Sequence, residues 1–299
     1  MMNFRSIDLN DKELYNEFKG GKKICGCEMS FANLFLWGDQ KLFFDENALF
    51  FLSTFSRSFY PFPFVKENGS IKNAIEKIIE DAGERGIECV ISSISKEDKD
   101  SLEELFPNRF SFTTDEGSYD YVYAINDLKD LAGKKYHKKR NHLAQFKKAC
   151  PEYKVESITK DNLFKVKNMV DEWYREKLSA DPDADYEYEM DFFDRALASF
   201  VELSIEGIIL SCKEKVIAVT FGTFMEEDTL DVHFEKAFAD IPGAYVAINN
   251  EFAKHISSKY PQVKFLDREE DMGIEGLRKA KESYYPIRKN LKYRATLIK

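Results

Sequence analysis

The sequence predicts a mixed α/β protein that combines antiparallel and parallel strands in two halves. Strand and helix periodicities alternate along the 299 residues. In the second half, short polar connections join three successive strands, and helices separate the strands that follow. Hairpin connections make neighbouring strands antiparallel, whereas a helix between two strands allows them to lie parallel. A chain of this length suits one large domain or two of ordinary size.

The first half is predicted to extend to residue 125 and to alternate short strands with helices. An apolar stripe over 71–82 predicts a helix, and glycines at 83 and 86 mark its end. The other predicted segments are paired strands over 42–52, a strand over 88–94, a helix over 96–106 and a strand over 118–125.

The second half follows a polar join at 126–133 and has a different order of elements. Its first predicted segments are a basic helix over 134–148, a strand over 153–158, a helix capped by Thr159, an acidic loop and a helix over 190–201. Three strands follow, over 207–212, 216–225 and 229–238. The last segments are a helix after Gly243 with Tyr245, Ile248, Phe252 and Ile256 inward, a strand over 264–266, a helix over 274–285 and a strand over 293–298. An antiparallel meander that runs into a βαβ unit is the order of the GCN5-related N-acyltransferase fold. Topology does not by itself establish chemistry.

Composition favours a globular cytoplasmic protein. The hydrophobic fraction of 43% is ample for a core. No run of residues is long and apolar enough for a membrane span, and residues 1–10 lack the apolar region of a signal peptide. The five cysteines are odd in number and scattered in spacing, which predicts reduced thiols and no zinc site. We therefore expect a soluble protein of the cytoplasm.

Positive charge is concentrated in one segment of an acidic chain. Residues 134–148 contain seven basic residues and no acidic one, while the whole chain has a net charge of −9. Outside this segment, 37 basic residues face 53 acidic ones, a net charge of −16. A basic island on an acidic protein indicates a local anion site rather than general affinity for polyanions, although a solvated basic face remains the alternative.

Three segments, near residues 30, 140 and 280, resemble motifs of a known family. They read Ser30-Phe-Ala-Asn-Leu-Phe-Leu-Trp37, Lys135-Tyr-His-Lys-Lys-Arg-Asn-His-Leu143 and Asp267-Arg-Glu-Glu-Asp-Met-Gly-Ile-Glu-Gly-Leu-Arg-Lys-Ala-Lys-Glu-Ser-Tyr-Tyr-Pro286. Together they resemble the phosphatidylglycerol lysyltransferase C-terminal domain family over nearly the whole chain.

The resemblance implies a tandem duplication of the GCN5-related N-acyltransferase (acyl-CoA N-acyltransferase) fold, similar to Fem-type aminoacyltransferases. Residues 1–125 would form an N-terminal acyltransferase-like domain, and residues 126–299 a C-terminal domain that carries the catalysis. In characterised relatives an amino acid passes from aminoacyl-tRNA to an amine or hydroxyl. The expected partners are therefore tRNA and a small-molecule, lipid or peptide acceptor. The chain lacks the membrane-embedded portion of the lysyltransferases, which weakens the case for a lipid.

The candidate catalytic residues lie on the predicted strand 229–238 and in the closing motif. Asp231, His233 and Glu235 alternate along the strand and so share one face. A carboxylate or imidazole there suits the base that deprotonates an attacking amine. Tyr284 could protonate a leaving group. The alternative for the strand is an ordinary polar face.

The candidate binding residues come from the basic helix and from the closing motif. The basic residues oppose the helix dipole at its N-terminal end, an arrangement that a bound phosphate would reverse. The candidates are Lys135, Lys138, Lys139, Arg140, Asp271, Arg278 and Lys281.

The donor and any cofactor depend on the loop before the helix at Ala244. Gly243 and Ala244 could present amide groups to a phosphate at a helix N-terminus. Asp240 and Tyr245 disfavour coenzyme A, which leaves aminoacyl-tRNA and acyl-CoA as alternative donors. No metal is expected, because the acidic run 181–191 has Tyr186 where a calcium loop needs glycine.

These patterns favour an acyl- or aminoacyl-group transferase that acts on an amine or hydroxyl. Two alternatives stay open: a non-catalytic module that binds an anionic ligand, and a coenzyme-A-dependent N-acetyltransferase.

Overall fold

The computed structural model describes residues 1–55 and 57–298. Its helices are α1 (Asp11–Lys19), α2 (Phe31–Leu36), α3 (Ile71–Arg85), α4 (Lys96–Leu105), α5 (Ile125–Asp130), α6 (His137–Ala149), α7 (Leu163–Ala180), α8 (Glu187–Ala198), α9 (Ala244–Lys259) and α10 (Glu275–Glu282). Its strands are β1 (Arg5–Ser6), β2 (Gln40–Phe44), β3 (Ala48–Ser53), β4 (Tyr60–Pro61), β5 (Phe64–Val65), β6 (Val90–Ile94), β7 (Phe110–Thr114), β8 (Asp120–Ala124), β9 (Lys154–Ser157), β10 (Glu206–Cys212), β11 (Lys215–Glu226), β12 (Thr229–Ala237), β13 (Phe265–Asp267), β14 (Arg288–Asn290) and β15 (Tyr293–Leu297).

The chain divides into two compact units. Unit 1 contains Met1–Asp120, Glu270–Ile274 and the chain from Lys289 onward, and unit 2 contains Tyr121–Glu269 and Glu275–Arg288. Each unit is therefore assembled from separate stretches of chain. The assignment of residues 1–125 and 126–299 to two acyltransferase-like domains stays a prediction.

Unit 1 holds two four-stranded sheets, in the orders β1-β2-β3-β5 and β4-β6-β15-β7. The predicted hairpin of β2 and β3 is confirmed. Helix α3 places its apolar stripe, including Ile75 and Ile78, in a buried core. Ser70 caps the start of α3, and Gly86 ends it with a positive φ of 67°. The helix therefore continues through Gly83, where the sequence pattern predicted its end.

The final strand β15 lies in the sheet of unit 1, whereas its position in the sequence suggested the second half. It pairs antiparallel with both β6 and β7, and Ala295 faces Ile91 on one side and Phe112 on the other. Ala295 is completely buried. Local patterns predicted the strand itself, but they carry no information on which distant strands it joins.

Unit 2 is built on one sheet, whose strands in this unit run in the order β8-β13-β12-β11-β10-β9. Strands β10, β11 and β12 form the predicted antiparallel meander. Helix α9 connects β12 to β13, and these two strands are parallel. The predicted order of meander and βαβ unit is confirmed.

Helices α7 and α9 pack on the central strands of this sheet. Trp173 of α7 donates an indole hydrogen bond to the carbonyl of Ala237 at 3.1 Å. Ile248, Phe252 and Ile256 of α9 are buried as predicted, but Tyr245 is 38% exposed. Tyr245 lies in the first turn of α9, between the buried residues Ala244 and Val246. Within the described chain, no helix combines the length and the apolar character that crossing a membrane requires.

Two local predictions in unit 2 are wrong. The polar join at 126–133 contains helix α5, whose Leu128 is buried and whose last carbonyls, at Leu128 and Lys129, accept hydrogen bonds from the Asn250 amide at 2.8 and 2.6 Å. Tertiary contact with α9 thus stabilises a helix whose own composition is polar. Helix α7 begins at Leu163, because the Asn162 side chain accepts the backbone N–H of Thr159 and holds a turn there.

The expectation that all cysteines are reduced is also wrong. Cys150, at the end of α6, and Cys212, at the end of β10, form a disulfide with a Cα–Cα distance of 5.7 Å. The two residues are 62 positions apart, so their spacing gave no indication of the pairing. Cys25, Cys27 and Cys89 form no disulfide.

Candidate functional site

The parallel strands β12 and β13 separate in the middle of the sheet of unit 2. Their pairing ends where Asp231 faces Asp267. Strand β13 stops there, while β12 continues to Ala237 with β11 as its neighbour on the other side. The chain after β13 turns away through Arg268 and Glu269, and Glu269 has a positive φ of 55°. Backbone strain of this kind concentrates at functional sites.

A buried ion pair lies at this separation. Arg268 donates from Nη2 to Glu235 Oε1 at 2.8 Å, and the second oxygen of Glu235 accepts from Asn249 Nδ2 at 3.3 Å. The side chains of Arg268 and Glu235 are only 14% and 10% exposed. Arg268 Nη1 is buried as well, and no acceptor on a described residue lies within hydrogen-bonding distance of it.

Lys139 and Tyr284 complete this group of side chains. The guanidinium carbon of Arg268 lies 5.1 Å from the centre of the Tyr284 ring, and Lys139 Nζ lies 3.5 Å from the same point. Lys139 also donates to Ser283 Oγ at 2.6 Å. Burial, and then the charge of Arg268, lower the pKa of Lys139 to about 8. We call Lys139, Glu235, Asn249, Arg268 and Tyr284 the Arg268 cluster.

His233 belongs to a second group of side chains in unit 2. Its Nε2 lies 2.8 Å from Thr223 Oγ1, and its Nδ1 lies 3.1 Å from Glu269 Oε1 and 3.4 Å from Asp231 Oδ2. Carboxylates beside Nδ1 favour the proton on that nitrogen, so Nε2 accepts from the Thr223 hydroxyl. The His233 side chain is fully buried. A substrate could therefore exchange a proton with it only through Thr223.

Lys281 holds the turn that carries Arg268 and Glu269. Its ammonium donates to the backbone carbonyls of both residues, at 3.0 Å in the case of Glu269. Lys281 is buried on α10. The structure thus gives Lys281 a contact that positions the backbone, and its predicted role in binding substrate stays a prediction.

The basic residues of the predicted anion site have different surroundings. Lys139 joins the Arg268 cluster, whereas Lys135 pairs with Asp127 at 3.0 Å. Arg140 donates to the carbonyls of Leu131 and Gly133, at 2.5 and 2.7 Å, and so holds the segment before its own helix. Lys138 is exposed.

Gly243 and Ala244 lie at the start of α9, as predicted, but their surroundings are close-packed. A Cβ atom at Gly243 would lie 2.1 Å from the carbonyl oxygen of His142, so the close approach of α6 and the φ of 76° both require glycine. The N–H of buried Ala244 donates to the carbonyl of Ile241 at 3.2 Å. This amide is therefore already used inside the loop.

The two remaining candidates lie elsewhere. Asp271 is buried in unit 1, where its carboxylate accepts the N–H of Gly273 at 2.8 Å. Arg278 is half-buried on α10 in unit 2. Their binding roles, like the other predicted site roles, stay predictions.

The candidate residues omitted three members of these groups: Thr223, Asn249 and Arg268. The charged residues after strand 264–266, among them Glu269, are predicted to lie where ligands gather in α/β sheets, and the same signal could have indicated Arg268. Thr223 and Asn249 have unremarkable neighbours in the sequence, and only the folded chain brings them to His233 and Glu235.

Unit 1 contains a separate buried charge cluster around Lys292. Lys292 Nζ lies 2.6 Å from Asp120 Oδ1 and 2.5 Å from Glu28 Oε2. Asp120 also accepts the backbone N–H of Cys27 at 2.9 Å and faces its thiol at 3.3 Å. These carboxylates hold the pKa of Lys292 well above its ordinary range. Cys27, Glu28 and Asp120 have a spacing that could hold a metal ion, but the Lys292 ammonium already supplies their positive charge.

Comparison with known proteins identifies similar chains. The family model described as phosphatidylglycerol lysyltransferase, C-terminal, matches residues 23–296. No curated protein matches. A conserved protein of unknown function from Bacteroides thetaiotaomicron is 35% identical, with both chains fully covered and a TM-score of 0.91.

Two further structures confirm the predicted fold class. L-PGS from Bacillus licheniformis is 17% identical over 98% of this chain and 93% of its own, with a TM-score of 0.66. A tandem GNAT protein from the clavulanic acid biosynthesis pathway is 7% identical over 99% and 98% of the two chains, with a TM-score of 0.50. At such identities the likeness concerns the fold alone.

Proposed function

Because the chain belongs to the phosphatidylglycerol lysyltransferase C-terminal family, we propose that it moves an acyl group, specifically an aminoacyl group, from an ester-linked donor to an amine or hydroxyl. Family and fold are acyltransferase-like. The observation that carries the proposal is the separation of β12 and β13 beyond Asp231, with the Arg268 cluster at the opening. A substrate carbonyl placed there would meet a carboxylate and two cations.

The proposed reaction needs no covalent intermediate. The acceptor nitrogen or oxygen attacks the ester carbon, and a new bond to that carbon forms while its carbonyl oxygen becomes negative. Collapse of this intermediate breaks the bond to the donor oxygen. One proton must leave the acceptor, and one must reach the departing oxygen. Positioned side chains accelerate such transfers by roughly 10²–10⁴-fold each.

The Arg268 cluster offers groups for both proton transfers. Glu235 is held in place by Arg268 and Asn249 and can take the proton of the acceptor. Lys139, with a pKa of about 8, is mostly protonated at neutral pH, so it offers a positive charge to the acyl group. Glu235 gives the proton that it has taken to the departing oxygen. Tyr284, whose pKa is raised by burial, stays neutral and holds the ammonium against its ring.

The donor that we propose is aminoacyl-tRNA. Lys139 lies on the same helix as exposed Lys138, Lys147 and Lys148, so phosphates bound along α6 would bring an attached ester to the Arg268 cluster. Acyl-CoA is a weaker alternative because the Ala244 amide is used within its own loop. The acceptor is an amine or hydroxyl, and this site does not distinguish a small molecule from a peptide or a lipid.

The test follows a labelled aminoacyl group from a mixed aminoacyl-tRNA pool to added amines, glycerol and phosphatidylglycerol vesicles. We expect transfer by the parent protein and a loss of about 10²-fold or more in Glu235→Gln, which removes the base. Glu227→Gln, at an exposed position in the turn before β12, is the matched control. Binding of tRNA without transfer to any acceptor would contradict the proposal and favour a non-catalytic binding module.

A further inference from the structure

The Arg268 cluster contains two cations and one carboxylate. Both oxygens of Glu235 are already bonded, one to Arg268 and the other to Asn249. The hydrogen-bond acceptor of Lys139 is the neutral hydroxyl of Ser283. Of the two carboxylates next to Arg268 along the chain, Glu269 faces His233, and Asp267 accepts the backbone N–H of Glu269. The cluster therefore has one positive charge more than its own acidic group balances.

One arm of Arg268 has no protein acceptor. Nη1 is buried, and the described residues place no oxygen within hydrogen-bonding distance of it. Buried polar groups in folded proteins nearly always have a hydrogen-bond partner, and a buried charge is strongly disfavoured unless it is paired. A ligand that brings an oxygen to Nη1 would satisfy both requirements.

The two cations approach the same aromatic ring. Lys139 Nζ lies 3.5 Å from the centre of the Tyr284 ring, and the Arg268 guanidinium carbon lies 5.1 Å from it. Both groups are thus close enough to Tyr284 to act on one small anion beside it. The excess of a single charge matches a carboxylate, whereas a phosphate monoester carries a charge of about −1.5 to −2 at neutral pH, which is more than this excess balances.

We infer that Arg268 and Lys139 bind a carboxylate at the end of the transferred acyl group, so that the substrate class is an acidic aminoacyl group such as glutamyl or aspartyl. This inference rests on the proposed function, because it places the acyl group at the separation of β12 and β13. It also goes beyond that function, since a neutral or basic acyl group would leave the excess positive charge of the cluster unbalanced.

Calorimetry with amino-acid α-amides tests the inference without any transfer reaction. L-glutamate α-amide mimics the acyl part of the donor, and L-glutamine α-amide is its neutral counterpart of the same shape. We expect the intact protein to bind the glutamate compound at least tenfold more tightly. Arg268→Gln and Lys139→Met should each remove this preference, whereas Lys160→Met, at an exposed position before α7, should retain it.

Equal binding of the two amides, or binding of neither, would overturn the inference while leaving transfer of another acyl group open. Preferential binding of sn-glycerol 3-phosphate would also overturn it and assign the cations to a phosphate. If Arg268→Gln fails to fold, as judged by its thermal unfolding, Lys139→Met decides the outcome, because Lys139 is only partly buried.

Discussion

The buried charge cluster around Lys292 in unit 1 and the Arg268 cluster in unit 2 differ in how completely their charges and hydrogen bonds are paired. In unit 1, the Lys292 ammonium is shared by two carboxylates, and Asp120 also accepts a backbone N–H. In unit 2, the single carboxylate of Glu235 accepts from Arg268, while Lys139 donates to the neutral Ser283 hydroxyl, and one guanidinium nitrogen has no hydrogen-bond partner among the described residues. The first cluster is complete without a ligand, whereas the second becomes complete when an anion binds.

This difference distinguishes buried charges that stabilise the fold from buried charges that bind a ligand. Breaking a complete buried pair leaves an uncompensated ion and costs about 3–5 kcal/mol. Lys139 donates to the neutral Ser283 hydroxyl, so removing its charge leaves no such ion behind, whereas removing Arg268 would leave Glu235 buried without its partner. Stability measurements should therefore respond strongly to the loss of Lys292 and weakly to the loss of Lys139, while ligand binding should respond in the opposite way.

The largest expected effect is that of Lys292→Met. It leaves Asp120 buried without its counter-ion, so the free energy of unfolding should fall by about 3–5 kcal/mol in urea titrations. Lys72→Met, at an exposed position on α3, is the control and should change it by less than about 0.5 kcal/mol. The double variant Lys292→Met/Asp120→Asn should lose less than the single one. An equal or larger loss would mean that packing, not charge, dominates there.

The next effect concerns the disulfide that ties the end of α6, the helix of Lys139, to β10. Cys150→Ser should lower stability by about 2–4 kcal/mol, because the bond restricts the unfolded chain. Thermal unfolding with and without a reductant measures this. The parent protein and the control Cys25→Ser, which keeps the disulfide, should both lose stability on reduction, and Cys150→Ser should not. A parent protein that is insensitive to reductant would show that the bond contributes little.

A smaller effect is expected for Lys139→Met. Its pKa is about 8 in the folded state, with Arg268, Glu235 and Tyr284 facing it, and lies below the ordinary value of 10.5. Between these values the unfolded chain holds a proton that the folded one has released, so the stability contributed at this position rises with pH. The parent protein should gain stability relative to Lys139→Met between pH 7 and pH 10. A flat difference across that range would show that the ammonium is fully solvated.

The smallest effect on folding is expected at the exposed lysines just before and at the start of α6. Replacing Lys134, Lys135 and Lys138 with alanine should change the free energy of unfolding by about 0–1 kcal/mol, as for other exposed charges. Filter retention of tRNA should nevertheless fall, and binding by the parent should weaken steeply with salt because phosphate contacts release counterions. Equal retention by the variant and the parent at low salt would assign these lysines to a solvated face.

Much of the fold could be predicted because local sequence patterns indicate its helices and strands. The meander of β10, β11 and β12 follows from alternation and short connections, and the parallel partner β13 follows from the intervening helix. Helix α5 was missed because its composition is polar and its contacts with Asn250 come from a distant part of the chain.

The candidate site was predictable only in part. Alternation along β12 placed Asp231, His233 and Glu235 correctly on a strand, but it could not separate them into two groups with different partners. Such partners depend on where β13 ends and how α6 and α10 pack, which are tertiary features. The sequence pattern predicted a phosphate-binding role for Gly243. In the structure, close packing against His142 is by itself sufficient to require glycine at this position.

The position of β15 has a consequence for biosynthesis. Strand β7 has β15 as its neighbour, and β15 in turn separates β7 from β6. The ribosome synthesises β6 and β7 long before residues 293–297. Each of these strands therefore has an edge without its partner strand while more than half of the chain is still being translated. During that interval unit 1 depends on transient protection of these edges, and its sheet closes only when the last strand emerges.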